Sequence, residues 1–237
     1  MRSFLLIAAL MLTNGVVADD HAGMTPGDGA FTTIMLQTSD LDRYISSLKS
    51  NLQVQERTGA MVAGFCVTKT GHDYRGQMMV WNGFASVADA LDASMKYDAM
   101  AAPEPGFAAL RSIQYSATWK PLKPFKLDPG YERAMRVVVP ADKVMSFVKE
   151  MTVLEAAVQS AGHDMNIGVF QALGGGAIEA NNLFVRTVAR DAASFGRVVD
   201  DYFAGNSYNG GWDRGMAMVS EVVNDQFEQC EQIYTAK

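Results

Sequence analysis

The sequence has few of the residues from which metal and redox centres are built. Its 237 residues include three histidines and two cysteines, with no Cys-x-x-Cys or His-Glu-x-x-His spacing. It also lacks the Gly-x-Ser-x-Gly element of serine hydrolases and the Lys-Ser/Thr ending of a phosphate-binding loop. His72 and His163 each lie in a Gly-His-Asp triplet, which we interpret as a turn. We therefore predict no metal site, no cofactor and no catalytic motif of a known type.

Clustered positive charge is missing as well. The 20 Lys and Arg residues are scattered along the chain among 26 Asp and Glu residues, which gives a formal net charge of −6 and a pI of about 5.1. Nucleic acids bind basic surfaces, so we expect no nucleic-acid partner. Because 49% of the residues are hydrophobic, the chain can bury a core as large as that of an ordinary enzyme domain.

A long apolar stretch is absent outside the N-terminus. Arg2 precedes an apolar run over residues 4–12, and residues 16–18 read Val-Val-Ala before two aspartates. This pattern predicts a signal peptide over residues 1–18 and a periplasmic or secreted protein. A membrane anchor is the alternative, but the run is far shorter than the ~20 residues that a span needs. We expect no membrane span after cleavage of the signal peptide.

The two cysteines leave two possibilities open. Cys66 lies in an apolar segment of strand type, and Cys230 lies in a polar segment near the C-terminus. In an oxidising compartment the two residues can form a disulfide. The alternative is one buried and one exposed free thiol.

Two stretches, residues 59–84 and 163–188, each predict a β-hairpin. In both, apolar runs of strand length flank a Gly-containing segment, and a helical pattern follows. With the flanking segments, the order β-α-β-β-α-β occurs in residues 31–120 and again in residues 132–224, with the last strand over residues 216–223. The remaining segments are predicted as a disordered leader, a linker and a C-terminal tail, at residues 19–30, 121–131 and 225–237.

The two halves align with a shift of 104 residues, which matches Gly64 with Gly168 and Ser116 with Ser220. Each half predicts a four-stranded antiparallel sheet with two helices on one face, so its other face needs a cover. The predicted fold class is α+β, with two ferredoxin-like repeats whose antiparallel sheets pack face to face as an α/β barrel.

On this order of elements the chain resembles the dimeric α/β-barrel superfamily of ferredoxin-like domains, as a tandem repeat in one chain. This superfamily includes proteins similar to antibiotic-biosynthesis monooxygenases, muconolactone isomerases and chlorite dismutases. The resemblance covers roughly residues 31–223 and implies the barrel, but it implies no particular chemistry. A haem-binding His is expected in the chlorite dismutase-like branch, and the sequence offers no residue for that role.

Polar side chains inside buried strands are the first candidates for a ligand site, since buried polar groups need partners. Strand alternation puts Asn82, Asn182 and Arg186 on the faces that we assign to the barrel interior. The same alternation puts Met79 and Trp81 on the faces toward the helices. We therefore expect the three polar residues to line a cleft between the sheets.

Arg186 has two interpretations. It can bind a carboxylate or another anion by paired hydrogen bonds, or an internal carboxylate such as Glu221 can neutralise it. A further candidate is the loop over residues 204–214, where Tyr208 and Trp212 alternate with Gly and Asn. Such loops provide aromatic walls of pockets, although an ordinary connection has the same composition. The complete predicted ligand site is Asn82, Asn182, Arg186, Tyr208 and Trp212.

Three functions are compatible with this sequence. The first is a secreted or periplasmic protein that binds a small, partly apolar molecule in the cleft between the sheets. The second is an enzyme that resembles cofactor-independent monooxygenases or isomerases of the superfamily. The third is a non-catalytic structural or interaction protein with a filled barrel. Because both sheets belong to one chain, a monomer and a homodimer are both compatible with the predicted fold.

Overall fold

The structure is a computed structural model that describes residues 27–101, 106, 109–127 and 129–237. The predicted signal peptide and residues 19–26 of the predicted leader lie outside the described residues. Within the described part, eight antiparallel strands close into a barrel and seven helices accompany them, so the chain is α+β as predicted. No helix of this part is both long enough and apolar enough to cross a membrane.

Strands and helices are interspersed along the chain. The strands are β1 (Ala30–Gln37), β2 (Val62–Thr70), β3 (Gln77–Phe84), β4 (Ser112–Pro121), β5 (Tyr131–Val138), β6 (Met165–Leu173), β7 (Leu183–Ala189) and β8 (Glu221–Thr235). The helices of the described part are α1 (Leu41–Ser50), α2 (Gln53–Thr58), α3 (Val87–Lys96), α4 (Val144–Ser160), α5 (Gly176–Glu179), α6 (Ala192–Phe203) and α7 (Gly211–Met216). Short 3-10 turns at Ala141–Lys143 and Tyr208–Gly210 precede α4 and α7.

One continuous sheet forms the barrel. Its strands follow the order β1-β3-β2-β8-β5-β7-β6-β4, and β4 pairs with β1 to close it. In chain order, β1 to β4 form the first half and β5 to β8 form the second half. The halves join where β2 pairs with β8 and where β4 pairs with β6. The halves are therefore hydrogen-bonded to each other at both junctions, whereas we predicted two sheets in contact only through their faces. Closure leaves the sheet without an unpaired edge.

The predicted C-terminal tail is wrong. Residues 225–237 were expected to follow a last strand over residues 216–223, but that strand is β8, which begins at Glu221 and runs to Thr235. Gln226, Glu228 and Cys230 are buried at alternate positions of β8, as expected for one face of a strand. Their polar character is typical of an exposed tail, and this is why the sequence pattern was misleading.

The end of the predicted leader belongs to the folded structure. Ala30 begins β1, and Gly27 is buried. The Lys120 ammonium group donates hydrogen bonds to the carbonyl oxygens of Gly27 at 2.7 Å and Gly29 at 3.1 Å. These contacts attach the chain before β1 to the neighbouring strand β4.

The helices cover the outside of the barrel. Side-chain caps begin three of them, since Asp40, Ser86 and Asp191 each accept a hydrogen bond from a backbone N–H of the first turn of α1, α3 and α6. The covering is incomplete at α3. From their helical spacing we expect Leu91 and Met95 to face the core, but in the structure they are 50% and 86% exposed.

The two faces of β3 are the reverse of those predicted. Met79 and Trp81 lie in the barrel interior, in a cluster that contains residues of both halves. Met78 and Val80 pack outside the barrel against α1. The assignment of β7 was correct, because Phe184 belongs to the interior cluster.

A one-residue offset explains the error in β3. Trp81 pairs across the sheet with Gly64, and Arg186 pairs with Gly168. The strands β2 and β6 are therefore related by the shift of 104 residues, but β3 and β7 are related by a shift of 105. A slip of one residue moves every side chain of a strand to the other face.

A disulfide links the two halves. Cys66 of β2 lies directly opposite Cys230 of β8, and their sulfur atoms are 2.10 Å apart. Both residues are buried, and no free cysteine remains. The two cysteines are 164 residues apart in sequence. The bridge therefore closes a long loop and removes much conformational freedom from the unfolded chain.

We expect that removal of this bridge destabilises the barrel. The double variant Cys66→Ala, Cys230→Ala should lose about 2–5 kcal/mol of unfolding free energy, because its unfolded state is no longer cross-linked. Urea unfolding followed by circular dichroism measures the loss. As a control, dithiothreitol should lower the stability of the wild type and leave that of the double variant unchanged. Equal unfolding midpoints for the oxidised wild type and the double variant would contradict the expectation.

Candidate functional site

The predicted site residue Arg186 lies inside the barrel and is paired. It is 1% exposed, and its Nη2 and Nε atoms donate hydrogen bonds to Oε2 of Glu132 at 2.7 and 3.0 Å. Glu132 is fully buried on the adjacent strand β5. An internal carboxylate thus neutralises Arg186, but it is Glu132 and not the predicted Glu221, which is exposed on β8.

Aromatic rings fill the space where we predicted an open cleft. The Arg186 guanidinium lies 5.7 Å from the ring centre of Phe31 and 5.9 Å from that of Phe184, within the range of cation–π attraction. Trp81 and Trp119 are among the largest fully buried side chains of the described residues. The barrel interior is therefore a packed core, and Arg186 does not face a ligand-sized opening.

A second buried carboxyl group stands beside the ion pair. Glu228 lies directly opposite Glu132 across β5 and β8, with carboxyl oxygens within 4.8 Å of each other. Its Oε1 accepts a hydrogen bond from Gln226 at 2.8 Å. Burial, and next the charge of Glu132, raise the pKa of Glu228 to about 8, against the opposing effect of Arg136 and Arg186. Glu228 is therefore mostly protonated at neutral pH.

The same place has ligand types that can bind a metal. The carboxyl oxygens of Glu132 and Glu228 and the sulfur atoms of Cys66 and Cys230 are mutually close and buried. The two sulfur atoms are bonded to each other, and Glu132 is bonded to Arg186. In this state the disulfide removes both thiolates and the ion pair engages Glu132, so too few free ligands remain for a zinc site.

Asn182 lies at one end of the barrel. It is buried, and its Nδ2 donates to the Ile178 carbonyl at 2.8 Å and to Oε2 of Glu179 at 3.3 Å. The fully buried Glu179 also accepts hydrogen bonds from Nε of Arg136 at 3.0 Å and from the Tyr115 hydroxyl at 2.8 Å. Asn182 thus helps to hold a second buried ion pair, Arg136–Glu179.

Asn82 lies elsewhere. It is on the outer face of β3, where it borders the space between the sheet and the helices of the first half, near Leu48 and Tyr97. The reversed faces of β3 place it there. Asn82 and Arg186 are therefore on opposite sides of the sheet.

Tyr208 and Trp212 lie together at a pocket between the outer face of the second half and its helices. The pocket has a volume of about 130 Å³, and five aromatic residues form part of its wall: Phe195, Tyr202, Phe203, Tyr208 and Trp212. Arg133 of β5 also lines it, with its guanidinium 5.2 Å from the ring centre of Trp212. We call this the aromatic pocket.

A histidine and an aspartate support Tyr208 from behind. Nε2 of His163 lies 2.8 Å from Oδ2 of Asp201 and 3.3 Å from the Tyr208 hydroxyl. When this nitrogen carries the proton and donates it to Asp201, it does not accept from Tyr208. The Tyr208 hydroxyl then donates to the Val198 carbonyl, 3.3 Å away, or to a molecule in the pocket. Burial raises the pKa of Tyr208, and the Asp201 charge adds to it, so the hydroxyl keeps its proton.

The backbone at Tyr208 is strained. Tyr208 and Asn209 have φ angles of 45° and 57°, and they are the only non-glycine residues with positive φ in the described ranges. Such conformations are costly and occur often at functional sites. The Asn206 side chain accepts a hydrogen bond from the Tyr208 backbone N–H at 3.1 Å and so supports the turn.

The five predicted residues are thus in four places. Tyr208 and Trp212 share the aromatic pocket, Arg186 and Asn182 belong to buried ion-pair groups, and Asn82 borders the helices of the first half. The prediction missed His163 and Asp201, which lie 38 residues apart in sequence. We had interpreted His163 as a turn residue, and no local pattern indicates Asp201 as its partner.

We expect that the Glu132–Arg186 pair is structural. Arg186→Met leaves the carboxylate of Glu132 buried without a partner and should cost about 3–5 kcal/mol of unfolding free energy. In the double variant Glu132→Met, Arg186→Met most of this loss should be recovered, because an apolar pair carries no charge into the core. Urea unfolding of the three proteins tests this, and a single variant as stable as the wild type would contradict it.

Glu228 should make stability depend on pH. Its pKa is about 8 in the folded state and lower in the unfolded chain, so folding takes up a proton between these values. The stability should therefore fall as pH rises from about 5 through 8, and it should change little above that. Glu228→Gln keeps an acceptor for Gln226 and should remove this part of the slope. Urea midpoints at pH 5, 7 and 9 measure it, and parallel slopes for both proteins would refute the assignment.

The fold is known from other proteins, although no protein-family profile and no curated protein sequence matches the chain. A solved anthrone oxidase-like protein superposes with a TM-score of 0.51 and 11% identity over 89% of this chain and 97% of its own. A protein from Lactobacillus acidophilus proposed to be a monooxygenase gives 0.55 and 12%, over 89% and 96% of the chains.

A chlorite dismutase from Candidatus Nitrospira defluvii also superposes, with a TM-score of 0.55 and 8% identity over 88% and 93% of the two chains. At such low identity the similarity shows the fold alone. The shared fold agrees with the α+β barrel that the order of elements predicts.

The aromatic pocket does not fit a haem. The aromatic pocket is smaller than the ~300 Å³ at the lower end of sites for drug-sized ligands, and no histidine is in its described lining. We therefore derive no step through a haem.

The leading hypothesis of a binding protein with its ligand in the cleft between the sheets is wrong. Packed rings and ion pairs occupy that space. The solved structures that share the fold include monooxygenase-like and chlorite dismutase-like proteins.

Proposed function

We propose that the protein is a cofactor-independent oxygenase that oxidises an aromatic substrate in the aromatic pocket. The observation that carries this proposal is Tyr208, which lines an aromatic-walled pocket from a strained turn and whose hydroxyl lies 3.3 Å from Nε2 of His163. The fold shared with monooxygenase-like proteins supports it.

The size and lining of the pocket define the substrate class. An apolar cavity of ~150 Å³ in a protein binds benzene, and the aromatic pocket is similar, with about 130 Å³. It therefore holds one aromatic ring, and the rest of a larger substrate extends through the open side. Arg133 adds a positive charge at the wall, although Asp225 pairs with it at 2.6 Å.

An oxygenase without a cofactor needs a substrate that supplies the electrons. Oxidation of an activated CH₂ group to C=O by O₂ releases water, so one oxygen atom enters the substrate and the other takes both hydrogens. All four electrons come from the carbon, and no external reductant is needed. The described pocket lining contains no carboxylate or imidazole. The substrate must therefore be acidic enough to lose its proton to a base in solution, as CH₂ groups that aromatic rings conjugate to a carbonyl group are.

Tyr208 has a defined role in this reaction. Its raised pKa keeps the hydroxyl protonated, so it can donate a hydrogen bond to the oxygen of the enolate that proton loss creates. A hydrogen-bond donor aimed at developing negative charge, in a site shielded from water, lowers the activation barrier of the step that creates the charge. In known cases one such donor is worth about 10²–10³ in rate. His163 and Asp201 are positioning residues, because they act through Tyr208.

We propose three further properties. The two halves are a tandem repeat of one ferredoxin-like unit, which the equivalent strand orders β4-β1-β3-β2 and β8-β5-β7-β6 support. The N-terminal pattern supports export to the periplasm or outside, and a disulfide suits such a compartment. Since the barrel closes within one chain, the protein functions as a monomer or a homodimer.

Oxygen uptake tests the function. Anthrone, which has an activated CH₂ group, is a suitable probe, with product mass measured for the gain of one oxygen atom and the loss of two hydrogen atoms. We expect Tyr208→Phe to lower kcat by about 10²-fold, since the donor to the enolate is lost. Tyr202→Phe is the matched control, because it removes a hydroxyl of the same pocket that bonds to Asp213 at 2.6 Å.

Two results would overturn the proposal. The first is that folded wild-type protein does not accelerate oxygen uptake with anthrone. The second is that Tyr208→Phe is as active as Tyr202→Phe. His163→Gln should lower kcat less than Tyr208→Phe does, because it changes only the orientation of the hydroxyl.

A further inference from the structure

A second pocket lies at the end of the barrel and shares no lining residue with the aromatic pocket. Its volume is about 290 Å³, and both halves of the chain contribute to it. The residues that matter below are Tyr74, Arg136, Ile178, Glu179, Val223 and Asn224. We call this the barrel-end pocket.

Three polar atoms of this pocket are buried without a hydrogen-bond partner. They are the Tyr74 hydroxyl, Nη2 of Arg136 and Oδ1 of Asn224. Arg136 is 5% exposed, and its Nε is used by Glu179 while Nη2 is left over. Buried polar groups in proteins are nearly always paired, so three such atoms around one cavity indicate a bound molecule.

The three atoms define a hydrogen-bonding pattern. Nη2 of Arg136 can only donate, and Oδ1 of Asn224 can only accept. Burial, with the charges of Asp73 and Glu228, raises the pKa of Tyr74 to about 12, so its hydroxyl also donates. The pocket therefore offers two donors and one acceptor.

The charge of the pocket is nearly balanced. The Glu179 carboxylate neutralises Arg136, with Oε1 of Glu179 lying 3.0 Å from Nε of Arg136. Asp73, at the exposed side, accepts hydrogen bonds from Nδ2 of Asn224 at 3.0 and 3.2 Å. Since no positive charge is left over in this lining, an anionic head group gains little, and the pocket suits a neutral one.

The mouth of the pocket is apolar. Ile178 and Val223 line it and are 55% and 48% exposed, and the neighbouring Val222 is 45% exposed. Isolated exposed apolar residues are common, but here they surround the opening of a polar cavity. They can cover the apolar part of a ligand whose polar head is inside.

We propose that the barrel-end pocket binds a neutral molecule with a primary amide head and a short apolar chain. The amide oxygen accepts hydrogen bonds from Arg136 and Tyr74, the amide NH₂ group donates to Asn224, and the chain lies against Ile178 and Val223. This site is separate from the proposed active site, so it does not depend on the oxygenase function.

Isothermal titration calorimetry with three probes of equal chain length tests the site. Hexanamide has the acceptor and the donor that the pocket requires, hexanoate has no donor and carries a charge, and 1-hexanol has one hydroxyl. We expect hexanamide to bind the full-length protein at least 10-fold more tightly than either of the others. No measurable heat with hexanamide at millimolar concentration, or equal affinity for all three probes, would overturn the proposal.

Variants locate the binding. Tyr74→Phe removes a hydroxyl that has no partner in the protein, so the fold should be retained while the affinity for hexanamide falls about 5-fold, a typical effect of one hydrogen bond. Asn224→Leu should remove the preference for hexanamide over hexanoate. The matched control is Tyr97→Phe, whose hydroxyl accepts from Arg111 at 2.9 Å outside the barrel. Equal hexanamide affinities of Tyr74→Phe and Tyr97→Phe would overturn the assignment.

Discussion

The closure of the sheet by β8 is the constraint on which the rest of the structure depends. This strand pairs with β2 of the first half on one side and with β5 of its own half on the other. Without it, both halves would present an unpaired edge and an uncovered inner face. The Cys66–Cys230 disulfide lies on the same β2–β8 junction, so a covalent bond and a hydrogen-bonded ladder hold the two halves together at one place.

Closure also decides what the interior can contain. An eight-stranded barrel encloses just enough space for side chains to fill, and the two halves fill it differently. In the first half, Phe31 of β1 pairs across the sheet with Trp119 of β4. At the matching position of the second half, Glu132 of β5 pairs with Glu228 of β8. The charged half places the carboxyl group of Glu132 beside Arg186, whose guanidinium lies against the Phe31 ring of the apolar half. The interior is therefore packed and ion-paired, and ligands must bind outside the sheet or at its end.

The two pockets differ in chemistry because they lie on different boundaries of the barrel. The aromatic pocket lies between the sheet and its helices, where apolar side chains meet and a strained turn presents Tyr208. The barrel-end pocket lies where the strands stop, so buried polar groups such as Arg136 reach its wall. The first suits an apolar ring and a reaction, and the second suits recognition of a polar head.

The sequence by itself determined the fold class and most of the element order. Apolar runs of strand length and helical spacing are local signals, and they identified β1 to β7 and the main helices. The polar inner face of β8 hid that strand, because Gln226 and Glu228 have partners that the linear pattern does not reveal. Composition also drew attention to Tyr208 and Trp212, although the structure places them in a 3-10 turn and in α7 and not in the loop that we predicted.

Only the tertiary structure decided which side chains share a site. A single residue of offset between β3 and β7 reversed the face of Asn82, since strand alternation has a period of two. The partner of Arg186 is 54 residues away and that of His163 is 38 residues away, and such contacts depend on strand pairing and helix packing. Local patterns predict elements because they arise within one element. Sites arise between elements, and their geometry follows from the closed barrel.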